Sequence, residues 1–240
     1  MPTEGFSDES YWSEAWTRHL ETYLAAEPRC GRWLRSRFGL RGWSVLECAG
    51  GSCRDARFLH RCGIDATGSD FDQRTIEYLR RRDPASTFPM MRQDAFKLDF
   101  ADRSIDLVFH NGFWVLFDDD ARIRELLVEQ LRVSRRVAVA MVHNGLNEEL
   151  VRRFERRAES DSLYRIRFFT PEELRGLVTG VSKRIRRVSI EPFGGGVDRL
   201  YRAAQRVPAL GGLLRPMVPR LYRMQAWSRA ERLALVMELE

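Results

Sequence analysis

Between residues 45 and 55 the chain reads Val45-Leu46-Glu47-Cys48-Ala49-Gly50-Gly51-Ser52-Cys53-Arg54-Asp55, an apolar run closed by an acid, then a string of small residues, then the polar start of a helix. Small side chains let a ligand come close to the backbone. A helix that begins there aims unpaired N–H groups and a positive dipole end at the same place, which suits a carboxylate or another anion. Ser52 is the expected N-cap.

Asp70 follows Gly51 by 19 residues, in Thr67-Gly68-Ser69-Asp70-Phe71. A carboxylate at that spacing, at the end of the next strand, can accept hydrogen bonds from both hydroxyls of a ribose, and the ring of Phe71 can lie against an adenine. Gln93-Asp94-Ala95-Phe96 follows a third strand, where Asp94 can accept from an adenine amino group, and Phe109-His110-Asn111-Gly112 ends a fourth. His110 and His143 both close predicted strands and are the two candidates for a general base that takes a proton from a hydroxyl or amine. An in-line transfer that relies on positioning needs no strong base.

These residues need a frame that brings them to one edge. From residue 44 the pattern alternates: strands at 44–48, 64–69, 87–92, 105–110 and 136–143, with helices at 54–61, 73–82 and 118–134 between them. That rhythm predicts a parallel doubly wound sheet with right-handed crossovers, whose ligands bind at the carboxyl ends of the strands where strand order reverses. Helices at 147–159 and 171–179 and a strand at 183–191 follow. Gly194-Gly195-Gly196 forms a hinge, and an Arg-rich apolar stretch at 197–227 is broken by Pro208, Gly211, Gly212, Pro216 and Pro219. Ahead of the first strand, Trp12, Trp16, Leu20, Tyr23 and Leu24 make one apolar face of a helix over 11–26, and a second helix is expected over 30–38.

Taken together, these segments resemble the class I S-adenosylmethionine-dependent methyltransferase family over about residues 40–190. Glu47 at the first strand end, Asp70 at the second, Gln93-Asp94-Ala95, Ile105-Asp106-Leu107-Val108, Leu131-Arg132-Val133-Ser134 and Phe168-Phe169-Thr170-Pro171-Glu172-Glu173-Leu174 carry the likeness. The resemblance implies an α/β, Rossmann-like, doubly wound seven-stranded sheet, mostly parallel, with an antiparallel last strand at 233–239. It implies an N-terminal helical cap at 1–43 and a methyltransferase domain at 44–240, with a helical lid insert at about 194–230. S-adenosyl-L-methionine is the implied cofactor and S-adenosyl-L-homocysteine the product. Glu47, Ala49, Gly50, Gly51, Asp70, Phe71, Asp94, Ala95, His110 and Asn111 are the implied cofactor contacts. The implied acceptor is a small molecule, with O-methylation of a sugar or secondary metabolite as the leading expectation. Where the family has Gly-x-Gly-x-Gly, this chain has Ala49-Gly50-Gly51-Ser52-Cys53, so only Gly51 matches. That departure keeps a degenerate, non-enzymatic binding protein open as an alternative. A nicotinamide oxidoreductase fits poorly, because Gly-x-Gly-x-x-Gly cannot be laid on residues 49–54.

Composition narrows the remaining classes. With 240 residues and 44% hydrophobic content, one α/β domain is the simplest arrangement. Forty Lys and Arg against 34 Asp and Glu give a net charge of +6, and an RNA methyltransferase is the alternative that this charge favours. The arginines, however, alternate with acids along the helices, which disfavours a nucleic-acid face. No apolar run approaches the roughly 18 residues of a membrane span, and residues 1–5 lack a signal-peptide pattern, so the expected location is cytoplasmic. The basic, apolar 197–227 stretch is compatible with a peripheral membrane contact or a lipid-linked substrate, and a homodimer is compatible with the sequence. Cys30, Cys48, Cys53 and Cys62 show neither zinc spacing nor a disulfide framework and are expected to be reduced thiols. Asp118-Asp119-Asp120 precedes a helix, where acids complement the dipole, and is read that way instead of as a metal site.

Overall fold

The computed structural model describes residues 19–204, 206, 207, 210, 213, 214 and 216–240. Residues 19–25 are helical; the start of the expected N-terminal helix, with Trp12 and Trp16, lies outside the described residues, as do Pro208, Gly211 and Gly212. The elements that follow are α1 (Arg29–Phe38), β1 (Ser44–Glu47), α2 (Arg54–Arg61), β2 (Asp65–Asp70), α3 (Gln73–Arg82), β3 (Met90–Arg92), β4 (Ile105–Asn111), α4 (Asp120–Val133), β5 (Ser134–His143), α5 (Glu148–Ala158), α6 (Pro171–Val178), β6 (Ile185–Phe193), α7 (Gly196–Ala204), α8 (Val218–Met224) and β7 (Arg232–Leu239).

The seven strands lie in the order β3-β2-β1-β4-β5-β7-β6. Strands β1 to β5 pair in parallel, while β7 runs antiparallel to both β5 and β6. Strand order reverses between β1 and β4, so the carboxyl ends of those two strands flank the crevice in which such sheets hold ligands. The antiparallel β7 has a second consequence. It must enter at the edge where β6 leaves, so the turn out of Phe193 and the approach to Arg232 both lie at the same end of the sheet as the crevice. Gly194 and Gly195 make the turn into α7, with φ of 75° and 83°; a Cβ on Gly195 would sit 2.1 Å from the Arg229 carbonyl oxygen.

Both faces of the sheet are covered. On one, Trp33 and Leu34 of α1, Ala56 and Leu59 of α2 and Tyr222 of α8 pack on Val45, Leu107, Phe109, Val139 and Val236. On the other, Ile123, Leu126 and Leu127 of α4 and Leu174 and Leu177 of α6 pack on Ala138, Ala140, Leu233 and Leu235. The alternating small and branched residues of β5 are therefore buried on both sides, as its unbroken apolar run requires. Helix starts follow local chemistry. Asp72 accepts from the N–H groups of Arg74 and Thr75, Asp119 from Ala121 and Asn147 from Leu150, while Thr170 and Glu173 form a reciprocal capping box on α6. Asp119 thus serves as a cap, and Asp120 pairs with Arg167 at 2.6 Å. Ser52 is not the N-cap of α2; Cys53 takes that position, without a side-chain cap bond.

Candidate functional site: the cleft at the carboxyl ends of β1, β2 and β4

The loop after β1 turns sharply. Ala49, Gly51 and Cys53 have φ of 47°, 53° and 46°. Ala49 and Cys53 stand where the resembled family carries glycine, and both hold the left-handed conformation that glycine adopts freely, at a cost of roughly 1–2 kcal/mol each. Cys53 also fills the space under the loop, since a Cβ on Gly50 would meet its Sγ at 2.5 Å and one on Gly68 would meet it at 2.6 Å.

Asp70 ends β2 and holds this loop from below. Its Oδ2 accepts the Gly51 N–H at 2.7 Å and its Oδ1 accepts the Asp72 N–H at 3.0 Å. Burial pushes its pKa up, an effect that the N–H groups of Asp72 and Gly51 partly offset. Each carboxylate oxygen keeps a lone pair for a further donor. Glu47, at the end of β1, is 2% exposed and accepts the Ala56 N–H of α2 at 2.8 Å, which ties the strand end to the helix. Phe71 is exposed, with the Arg92 guanidinium 5.1 Å from its ring centroid. Asp94 is exposed and turns an oxygen to the Phe96 N–H at 2.9 Å, while Ala95 beside it is buried.

The two histidines stand on opposite faces. His110 is fully buried against Trp114 and Phe113. Its Nδ1 accepts the Phe113 N–H at 3.2 Å, which fixes the proton on Nε2, and Nε2 has no partner. Burial, then the charge of Arg232, pushes its pKa down to about 3, so it stands as a neutral donor. His143 lies between Phe154 and Phe168, its ring edge-on to both. Its Nδ1 is buried without a partner, and burial followed by Arg232 and Arg29 holds it neutral.

Sequence reasoning missed the polar chain that connects these strands. Asp55, in the first turn of α2, accepts the Gly31 N–H of α1 at 2.8 Å and the Asn111 Nδ2–H at 2.8 Å; Asn111 Oδ1 in turn accepts from Arg232. The available signal was charge in an apolar setting: Asp55 follows the small-residue loop, and Arg232 abuts the apolar run 233–237. Above the cleft, residues 19–25 form a roof. Leu20 packs with Cys53, Ile76 and Leu79. Tyr78 of α3 donates to Glu21 at 2.6 Å, His19 approaches Asp161 at 3.0 Å, and Arg54 donates to the Tyr23 carbonyl at 3.3 Å. Beside α1, Arg29 binds Asp198 of α7, which also accepts from Tyr222 of α8. No group of three or more His, Cys, Asp and Glu side chains is arranged to hold a metal ion among the described residues, and no described helix is long and apolar enough to cross a membrane.

This sheet order, with its loop after β1 and its acid after β2, is the class I S-adenosylmethionine-dependent methyltransferase fold. Residues 45–137 match the family described as methyltransferase domain. Among solved structures, a methyltransferase from Archaeoglobus fulgidus described as S-adenosylmethionine-dependent is similar over 93% of this chain and 99% of its own, with 17% identity and a TM-score of 0.63. A Thermotoga maritima protein described as a possible histamine N-methyltransferase is similar over 97% and 98%, at 16% identity and a TM-score of 0.59. Geranyl diphosphate C-methyltransferase from Streptomyces coelicolor is similar over 88% and 78%, at 11% identity and a TM-score of 0.56. At these identities the likeness establishes the fold. No curated protein matches the sequence.

Proposed function

We propose that the chain is an S-adenosylmethionine-dependent methyltransferase acting on a small-molecule acceptor, with transfer to oxygen of a sugar or secondary metabolite as the leading reaction. The observation that carries this reading is Asp70 holding the glycine loop by Gly51, with a lone pair left on each oxygen for a ribose diol. The left-handed conformations kept at Ala49 and Cys53 support a working cofactor loop over a degenerate one. When bound, S-adenosylmethionine supplies an electrophilic methyl group: the acceptor's lone pair forms the new bond as the electrons of the carbon–sulfur bond pass to sulfur.

The chain's own residues then have separable tasks. Asp70 grips the sugar, and Gly50 and Gly51 admit the amino-acid end of the cofactor. Phe71 and Ala95 flank the base, Asp94 takes its amino group, and Glu47 stands near the cationic end. Asn111 lines the methyl end, with His110 fully buried behind it on the other face of β4. His143, neutral and with a free Nδ1, is the better placed of the two histidines to accept the acceptor's proton. Residues 19–43 and the described residues of the insert at about 194–230 roof the acceptor side. The test is transfer from methyl-labelled cofactor to panels of hydroxyl, amine and RNA acceptors. A methylated small molecule is expected, and labelled RNA alone would overturn the acceptor class. Calorimetry with S-adenosylhomocysteine should show one site per chain; no binding would leave a degenerate fold.

Glu47 gives a pH-dependent prediction. Burial and the charge of Asp55 raise its pKa well above the usual 4.5, with the Ala56 N–H partly offsetting this. A raised folded-state pKa means that the folded protein holds the proton to higher pH than the unfolded chain. Stability therefore falls as pH rises from the unfolded value through the folded one. Glu47→Gln removes the ionisation and keeps an oxygen for Ala56. Its unfolding free energy in urea should exceed that of the parent at about pH 7.5, by of order 1 kcal/mol or more, and the two should converge near about pH 4. A constant offset across that range would refute the buried-charge account.

A further inference from the structure

Arg232 opens β7 directly across the ladder from His143 of β5 and beside Phe193 of β6. Cross-strand partners share a face, so Arg232 and His143 look out together, and the Arg232 side chain reaches back to Asn111 at the end of β4. A Cβ on Gly112 would lie 3.5 Å from Arg232 Nη1, which puts the guanidinium over the β4 end of the crevice. Arg232 is half-buried, and a guanidinium drawn partly from water calls for a counter-charge and full hydrogen bonding. Among the described residues neither is complete. Arg232 makes no ion pair among the described residues, and its one hydrogen bond there is to the neutral amide of Asn111. The adjacent Glu231 feels the charge of Arg232 without pairing with it, because it gives Oε2 to Arg29 at 3.0 Å, and Asp55 is separated from Arg232 by the Asn111 amide. Burial, then the like charges of Arg29 and Arg54, brings the Arg232 pKa down to about 10. The histidine next to it has a buried, unpartnered Nδ1.

We propose that Arg232 anchors a carboxylate of the methyl acceptor, so that the substrate is a small organic acid whose nucleophile is held over Asn111 and His143. This rests on the methyltransferase reading above and narrows it to a substrate class. The anion neutralises a guanidinium that has no ion-pair partner among the described residues, in a bidentate arrangement that its remaining N–H groups can supply. It also removes part of the positive field on His143, which makes that ring a better proton acceptor once the substrate is seated. The cofactor's own carboxylate is the other source of such an anion. That end of the cofactor would lie over the loop at residues 49–52, which leads into a different cation, Arg54, the first residue of α2, with Nη1 turned to the Tyr23 carbonyl.

The experiment uses the full chain saturated with S-adenosylhomocysteine, titrated calorimetrically with acetate, benzoate and benzamide. Saturable binding of the two carboxylates is expected, with benzamide at least about 10-fold weaker than benzoate. Arg232→Gln should weaken benzoate by roughly 10- to 100-fold and leave benzamide unmoved, with Arg232→Lys between parent and Gln. If the Gln variant fails to fold, the benzoate–benzamide contrast and the Lys variant decide. No saturable carboxylate binding, or an affinity unmoved by both variants, overturns the proposal. It is also overturned if the variants weaken S-adenosylhomocysteine but not methylthioadenosine, which lacks the carboxylate, because Arg232 would then serve the cofactor. Failure of the parent chain to bind either nucleoside removes the methyltransferase reading itself and the subsite with it, a result distinct from clean nucleoside binding without carboxylate binding.

Discussion

Asp70→Ala should raise the dissociation constant for S-adenosylhomocysteine by at least about 100-fold. Two hydroxyl donors to an ionised carboxylate are worth roughly 1.5–3 kcal/mol each, and the variant loses both. It also releases the Gly51 and Asp72 N–H groups that Asp70 accepts at 2.7 and 3.0 Å, so the loop loses its anchor along with the ligand's grip. Burial disfavours the charge on Asp70, and its removal offsets part of the stability lost with those bonds. The protein should therefore stay folded, with a drop of about 1–3 kcal/mol. Asp70→Asn separates the two roles. Its single oxygen can keep one N–H while its amide nitrogen faces the other, so affinity should fall between parent and Ala. Calorimetry with the nucleoside reads the first effect and urea unfolding the second. Unchanged nucleoside affinity in a folded Ala variant would remove Asp70 from the binding site.

The frame was largely legible in the sequence because its signals are local. The apolar run of β5, buried on both faces, and the Asp72, Asp119, Asn147 and Thr170 caps each announce themselves within a few residues. The expected strand over 87–92 shrinks to Met90–Arg92. The Phe88 ring turns into the packing around Cys53 and Gly68, and Pro89 has no N–H to donate, although its carbonyl still accepts from Gly68 at 3.0 Å. The first strand ends at Glu47 and the second extends to Asp70, so both acids stand at the rim that their spacing implied. Ser52, expected to cap α2, cannot do so because the left-handed turn at Cys53 intervenes. What the sequence hid is long-range. The Asp55–Asn111–Arg232 chain joins α2, β4 and β7 over separations of 56 and 121 residues, and no periodicity within one element reports a contact of that span. The same holds for the neutral state of His110, which follows from burial and from the charge of Arg232 on a strand distant in sequence.

Gly68→Ala is the second change expected to act strongly, and its cause can be checked by undoing it. The new Cβ would fall 2.6 Å from Cys53 Sγ, 2.8 Å from Cys53 Cβ and 2.9 Å from Phe88 Cζ. Rotating the thiol moves Sγ but leaves Cys53 Cβ at 2.8 Å from the new methyl, so a side-chain adjustment alone makes no room. The backbone must give, at a cost of about 1–3 kcal/mol or more, and the loop that would carry the cofactor shifts with it. Cys53→Gly alone should be close to neutral. It loses the burial of a small side chain, about 1 kcal/mol, and gains loop entropy in the unfolded chain, but it relieves a left-handed non-glycine residue worth about 1–2 kcal/mol. Combined with Gly68→Ala it vacates the space that the new methyl needs and leaves only the distal atom of the Phe88 ring to adjust. The two changes should therefore couple favourably by about 1–2 kcal/mol in urea unfolding, and the double variant should recover most of the S-adenosylhomocysteine affinity that Gly68→Ala loses. Strict additivity would mean that Cys53 does not support the loop from beneath, and the departure from the family's glycine pattern would then need a different explanation.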